Sequence, residues 1–194
     1  MRAWEIGGNT LEYDEEDHIY IYEGQIVPSV TQVLKKRFSH KYDMVDAETL
    51  QRAANRGTQI HKAIEDYNTT GEDDGSREVH NFRFLMKLYG YRVFECETPI
   101  VIKKDDEPIA AGRLDLVLDA GNCTALADIK TTSSLDKEYL AYQLNLYRIG
   151  YMQSYGISID KLFGIHLRED TRKLVNIPIN ERLAWELLEG RKDE

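Results

Sequence analysis

Residues 91–131 constrain the fold most, because they read as three successive strands separated by two turn signals. The first strand is rich in β-formers from Val93 to Ile102, and Asp105-Asp106-Glu107-Pro108 supplies the first turn. Asp119-Ala120-Gly121-Asn122 supplies the second. The last strand, from Ala125 to Lys130, is mostly apolar, as a central strand covered on both faces has to be. Its end is not apolar. Asp128-Ile129-Lys130 places an acid and an amine on one face of the strand and Ile129 on the other. A second acid, Asp115, lies thirteen residues earlier on the preceding strand. Two carboxylates can hold a hard divalent cation, and a neighbouring lysine can orient or deprotonate a water bound to it. An acid-x-Lys triplet is expected about once by chance in a chain of ordinary charged composition, so the weight falls on what surrounds it.

Helical patterns stand on both sides of these strands. His18-Ile19-Tyr20-Ile21-Tyr22 followed by Glu23-Gly24 predicts a hairpin strand and its turn. Pro28-Ser29-Val30-Thr31 predicts a helix start, with Val30, Val33 and Leu34 as the apolar stripe. A second helix is expected from about Ala47 to Tyr67 and a third from about Arg77 to Tyr89, ended by Gly90. The turn-rich segment Asn68 to Ser76 separates them without marking a domain boundary, since too little chain precedes it for a separate core. After Lys130 the pattern predicts a helix over 137–155, strands near 161–168 and 174–177, and a closing helix from an Asn180 N-cap to Glu189. Helices before and after a central meander imply an α/β sandwich with its mixed sheet covered on both sides and an N-terminal β-hairpin.

With 194 residues, 42% hydrophobic and 30% charged, the chain fits one globular domain rather than a disordered one. No apolar run reaches membrane-spanning length, and Met1-Arg2-Ala3-Trp4-Glu5 does not open a signal-peptide core, so a cytoplasmic protein with no membrane partner is expected. Cys96 and Cys123 lack the close pairing of a zinc site and fall short of the four thiolates an iron–sulfur cluster takes. The net charge of −9 argues against general nucleic-acid binding. Clustered acids that hold cations weaken that objection, and so does the local basic stretch with Lys35, Lys36, Arg37 and Lys41. That stretch reads equally as a solvated helix end, where cations complement the macrodipole.

Other residues gather around the strand pair. Gln143 and Tyr147, four apart on the helix after Lys130, share a face and could bond phosphate oxygens or buttress the lysine. His61 and Glu65 are four apart on the second helix, and His61 could ligate a metal through a neutral imidazole nitrogen. Gly57 on that helix costs stability and so calls for a reason, such as close approach of a neighbouring strand. Glu97 precedes Asp115 by one strand and either joins the acids or faces solvent.

The ordered set Gly57-x-x-x-His61, Glu97, Gly112-x-x-Asp115, Asp128-x-Lys130 and Gln143-x-x-x-Tyr147 resembles the RecB-type branch of the PD-(D/E)XK nuclease superfamily. Val27-Pro28-Ser29-Val30-Thr31-Gln32-Val33-Leu34 resembles the N-terminal stretch of small phage and prophage exonucleases in that branch. The likeness runs from about residue 18 to 155. It implies a restriction-endonuclease-like αβα sandwich, with residues 46–194 as the nuclease core and 1–45 as an extension. It also implies Mg²⁺ or Mn²⁺ held by Asp115, Asp128, the Ile129 carbonyl and His61, with Glu97 and Glu65 as additional acids. Lys130 would position or activate the attacking water, and Gln143 and Tyr147 would support the site. Lys35, Lys36, Arg37, Lys41 and Arg113 are the expected nucleic-acid contacts. The branch members that carry an iron–sulfur cluster have four cysteines, so no such cluster is implied here.

The expected activity is a metal-dependent DNA exonuclease of phage-type recombination or repair, in a bacterial or phage-infected cell. Its expected partners are DNA and, by the same resemblance, a single-strand annealing protein. A ring-like homo-oligomer would let a small acidic protein encircle DNA, and RNA stays open as a substrate because discrimination rests on local 2′-hydroxyl contacts. The alternatives are a catalytically silent DNA-end or protein-binding module and an endonuclease on the same fold.

Overall fold

The computed structural model describes residues 1–39 and 46–190. The chain opens with four short strands, β1 (Arg2–Ile6), β2 (Asn9–Asp14), β3 (Ile19–Tyr22) and β4 (Gln25–Val27), paired antiparallel in sequence order. The expected hairpin is therefore the second half of a four-stranded meander. Helices α1 (Val30–Phe38), α2 (Ala47–Thr70) and α3 (Arg77–Tyr89) follow. Ser29 caps α1 with a capping box shared with Gln32, and Asp46 and Ser76 cap the next two.

The main sheet has the order β5-β6-β7-β8-β9, formed by Arg92–Lys104, Glu107–Asp119, Thr124–Lys130, Lys161–Arg168 and Thr171–Ile177. Strands β5 to β7 are the expected antiparallel meander. Helix α4 (Lys137–Tyr155) then crosses over, so that β8 runs parallel to β7, and β9 returns antiparallel before α5 (Glu181–Leu188). The protein is an α/β sandwich. One core lies between the sheet and α1, α4 and α5, where Leu34, Leu114, Leu126 and Tyr151 are fully buried. The other lies beneath α2 and α3, with Ile64, Phe82, Leu116 and Ile129. A third, smaller core joins the N-terminal sheet to β5 and β6 through Val101 and Ala111. No helix among the described residues is long and apolar enough to cross a membrane.

One helix boundary differs from expectation. Helix α2 runs three residues past Tyr67, through Asn68, Thr69 and Thr70, which read as turn formers. Their side chains bond back to the carbonyls of Ile64, Glu65 and Asp66 instead of competing with the helix. Gly71, in the left-handed conformation at φ 79°, then stops it.

Asn145 fixes α4 against the end of the sheet. It is fully buried and donates to the carbonyls of Ala141 and Pro178, while its oxygen accepts the Asn180 N–H at 2.6 Å. Asn145→Ala removes these bonds and leaves a void, so a loss of about 2–3 kcal/mol in unfolding free energy is expected. Urea denaturation of the variant against the wild type measures it.

Candidate functional site

The site begins where two strands part. The β6–β7 ladder pairs Asp119 with Thr124 and continues to Leu116 with Ala127, where it stops. Asp115 and Asp128 would be the next pair. Instead, Asp115 Oδ2 accepts the Ile129 N–H at 2.7 Å, so a carboxylate satisfies the donor that the ladder leaves open. The alternation of faces breaks at the same point: Leu114 packs in the core beneath α4, and Leu116 in the core beneath α2 and α3. Across from Asp115 on β5, Glu97 lies between the pairs Cys96↔Leu116 and Thr98↔Leu114 with φ at 51°. A left-handed backbone is strained for a residue with a Cβ, and such strain clusters at functional sites.

Helix α2 lays His61 over this junction. Its Nε2–H donates to the Ile129 carbonyl at 3.0 Å, and its Nδ1 lies 3.4 Å from Asp115 Oδ1. His61, Glu97 and Asp115 can each offer one ligand atom, all within 4.8 Å of one another. Ions bound by oxygen at roughly 2.0–2.6 Å span donors at about this separation. Two carboxylates suit Mg²⁺ or Mn²⁺, and the imidazole adds a softer donor that Mn²⁺ accepts more readily. Gly57, one turn before His61, leaves room for a methyl: a Cβ there would meet Thr131 Oγ1 at an ordinary 3.5 Å. Its presence is therefore not forced by close packing.

Asp128 is 1% exposed and Lys130 Nζ stands 2.5 Å from its Oδ2. Ile129 points into the opposite core, as the alternation requires. Asp128 is not one of the three clustered donors. It acts on them through charge and through Lys130. On α4, Gln143 and Tyr147 are both buried, with the Gln143 side chain against the Tyr147 hydroxyl. Gln143 Oε1 has no hydrogen-bond partner among the described residues. Glu65 borders the small cavity shared by His61, Cys96, Glu97 and Asp115 and is engaged by Lys62 at 3.3 Å.

The basic residues divide. Lys35 lines a cleft beside the site, and Lys36 is exposed. Arg37 turns inward, 4.7 Å over the Tyr142 ring and 3.7 Å from Glu138, where it ties α1 to α4. Lys41 lies outside the described residues. Arg113 pairs with Glu97 at 2.6 Å. Two further contacts bear on the site. His166, the β8 neighbour of Lys130, donates from Nε2 to the Thr132 carbonyl at 2.7 Å and so holds the segment that follows Lys130. Tyr13 and Tyr20 reach the cleft from the N-terminal sheet, and the Ile-Tyr alternation of β3 is the signal that could have pointed to Tyr20.

Charge states follow from this crowding. Burial pushes Glu97 up to about 7, with Asp115 reinforcing it and Arg113 opposing it. Burial also pushes Asp128 up to about 6, against the pull of Lys130. Burial alone would lower His61, but the carboxylates of Asp115 and Asp128 override it and hold the imidazole at about 9. Asp115 ends below the usual carboxylate range, because His61 and Lys130 outweigh its burial. Lys130 is likewise held above its ordinary value by Asp128 and Asp115 despite burial, so it is an ammonium. Burial and the two aspartates keep the Tyr147 phenol protonated.

No family model matches the chain, and no curated protein matches it in sequence. Among solved structures, the one described as the crystal structure of SSO0001 is similar at a TM-score of 0.46 and 17% identity. That alignment covers 84% of this chain and 75% of the other.

Glu97, Asp128 and His61 all bind protons more tightly in the folded than in the unfolded chain. Their stabilising contribution is complete below their unfolded values and is lost as pH rises through about 6, 7 and 9. The lowered Asp115 contributes fully throughout this window. In chelator, therefore, the melting temperature is expected to fall between about pH 4.5 and pH 9, and Glu97→Gln to flatten the lower part of that slope, up to about pH 7. Thermal melts across this range, with wild type and variant side by side, provide the check.

Proposed function

We propose that this chain is a divalent-metal-dependent deoxyribonuclease of the RecB-type PD-(D/E)XK class, acting on DNA ends. The observation that carries the reading is the convergence of His61, Glu97 and Asp115 next to the buried Asp128–Lys130 pair at the point where β6 and β7 part. The donor set suits Mg²⁺ or Mn²⁺, with Asp115, Glu97 and a deprotonated His61 as direct candidates. The Ile129 carbonyl and Asp128 stand close enough in sequence and space to join. When bound, such an ion supplies Lewis acidity and a water of lowered pKa.

The chain's own groups account for the rest. Lys130 is a cation held by Asp128, so its part is to orient the water and to stabilise charge gathering on the phosphate oxygens. Accepting a proton is not its role in this charge state. The attacking water would give up a proton to solvent as it forms the new P–O bond, the P–O bond opposite would break with its electron pair leaving on oxygen, and that oxygen would take a proton from solvent. Tyr147 lines the cleft as a neutral O–H, which would donate to a phosphate oxygen there. Gln143 steadies that hydroxyl from the preceding turn of α4. The acidic surplus of the chain does not oppose this reading, because Lys35 and Arg113 both face the cleft.

End-labelled linear DNA with Mg²⁺ or Mn²⁺ tests the proposal. Digestion is expected with metal and not with chelator, and Lys130→Ala is expected to lower the rate by at least about 100-fold. Asp115→Asn is expected to do the same with reduced Mn²⁺ affinity. Closed circular DNA should stay intact, whereas discrete cuts in it would point to an endonuclease. Activity that survives chelator and both substitutions would overturn the assignment.

A further inference from the structure

A cleft of about 360 Å³ opens beside the acidic cluster, between the N-terminal sheet, the start of α1 and β6. Glu97 belongs to both the cleft and the cluster, so the two are continuous. Tyr147 closes the cleft on the α4 side. The opposite wall is aromatic. Tyr13 from β2 and Tyr20 from β3 stand with ring centroids 4.6 Å apart and planes inclined by 34°. Tyr20 is buried and belongs to the small core, whereas Tyr13 is only half-buried and forms the open part of the wall. The Tyr13 hydroxyl is fixed by His18 Nδ1 at 2.7 Å, which holds the ring in place.

Arg113 stands between this wall and the cluster. Its Nε is committed to Glu97, and its guanidinium lies 5.9 Å from the Tyr13 ring centroid. Its Nη1 is buried and has no hydrogen-bond partner among the described residues. An arginine with an unspent donor, beside a held aromatic face, matches what an unpaired nucleotide presents: a π-face and acceptor oxygens. The volume lies at the small end of sites for compact ligands, roughly 300–1000 Å³. That is enough for a single nucleotide.

We propose that this cleft is a nucleobase site, in which one unstacked nucleotide next to the scissile phosphate lies against Tyr13 with an acceptor oxygen at Arg113. The proposal rests on the nuclease reading and specifies its substrate: a single-stranded or frayed terminus rather than a fully paired one. The N-terminal sheet is then part of substrate recognition. Stacking tolerates any base, since every base offers a π-face, so little sequence preference follows.

Binding in chelator separates this proposal from the nuclease reading, because no cleavage is needed to see it. The measurement is fluorescence anisotropy with a labelled single-stranded oligonucleotide and with a blunt hairpin of equal length. The wild type is expected to bind the single strand more tightly. Tyr13→Ala is expected to weaken that binding by about tenfold, and Tyr13→Trp to retain it. A second arm changes the DNA: an abasic residue at the terminal position should weaken binding to the wild type and cost Tyr13→Ala nothing further. Equal affinity for strand and hairpin would overturn the proposal, and so would an abasic penalty of the same size in both proteins. If metal-dependent digestion is seen while either of those results holds, the nucleobase site fails and the nuclease reading stands. If the binding pattern holds with no digestion under any metal, the nuclease reading fails instead.

Discussion

The hydrogen bond from the Ile129 amide to the Asp115 carboxylate is the contact on which the rest of the site depends. A buried N–H at the end of a ladder has to find an acceptor, and here it finds a charged one. That choice has three consequences. Asp115 stays ionised despite its burial, because His61, Lys130 and this amide all favour the carboxylate. The two strands can separate there without an unpaired donor. The gap that opens is deep enough for His61 to reach the Ile129 carbonyl from α2 and for Glu97 to turn inward from β5. A normal ladder through Asp115 and Asp128 would close that space.

Six ionisable groups crowd into this region: Glu97, Asp115 and Asp128 against His61, Arg113 and Lys130. Burying so many charges is costly, and removing one member would leave its partner uncompensated. The pairs Arg113–Glu97 and Lys130–Asp128 are close contacts, while His61 and Asp115 are looser at 3.4 Å. The loosest pair is the one at the centre of the donor set.

Much of the fold was legible because its signals are local. Ser76 and Gly90 bracket α3, and Asp136 and Gly156 bracket α4, each through capping chemistry written within a few residues. Asp128, Ile129 and Lys130 were legible for the same reason, since alternation along one strand settles which way each points. Glu97 was not, because its inward turn depends on a left-handed φ in the middle of a strand, which no residue pattern announces. Arg37 was misleading in the opposite sense. In sequence it belongs to a basic run, yet the aromatic face of Tyr142 holds it against α4. Contacts between distant elements decide both cases.

The N-terminal sheet is bound into the site rather than attached beside it. The Ala111 amide of β6 donates to the Pro28 carbonyl at 3.0 Å, and Ser29 bridges Ala111, so the turn before α1 is stitched to the strand that carries Gly112, Arg113 and Asp115. Gly112 marks the tightest point of this union. A Cβ there would come within 2.9 Å of the Tyr147 ring and 3.1 Å of a Val30 methyl, so α1, β6 and α4 meet around a hydrogen atom. Any side chain at that position would push Tyr147 away from the aspartates or lift α1 from β6. The first would displace a residue that lines the cleft, and the second would move Lys35 with α1. The glycine therefore couples the position of α1 and the turn before it to that of β6, the strand that carries Asp115.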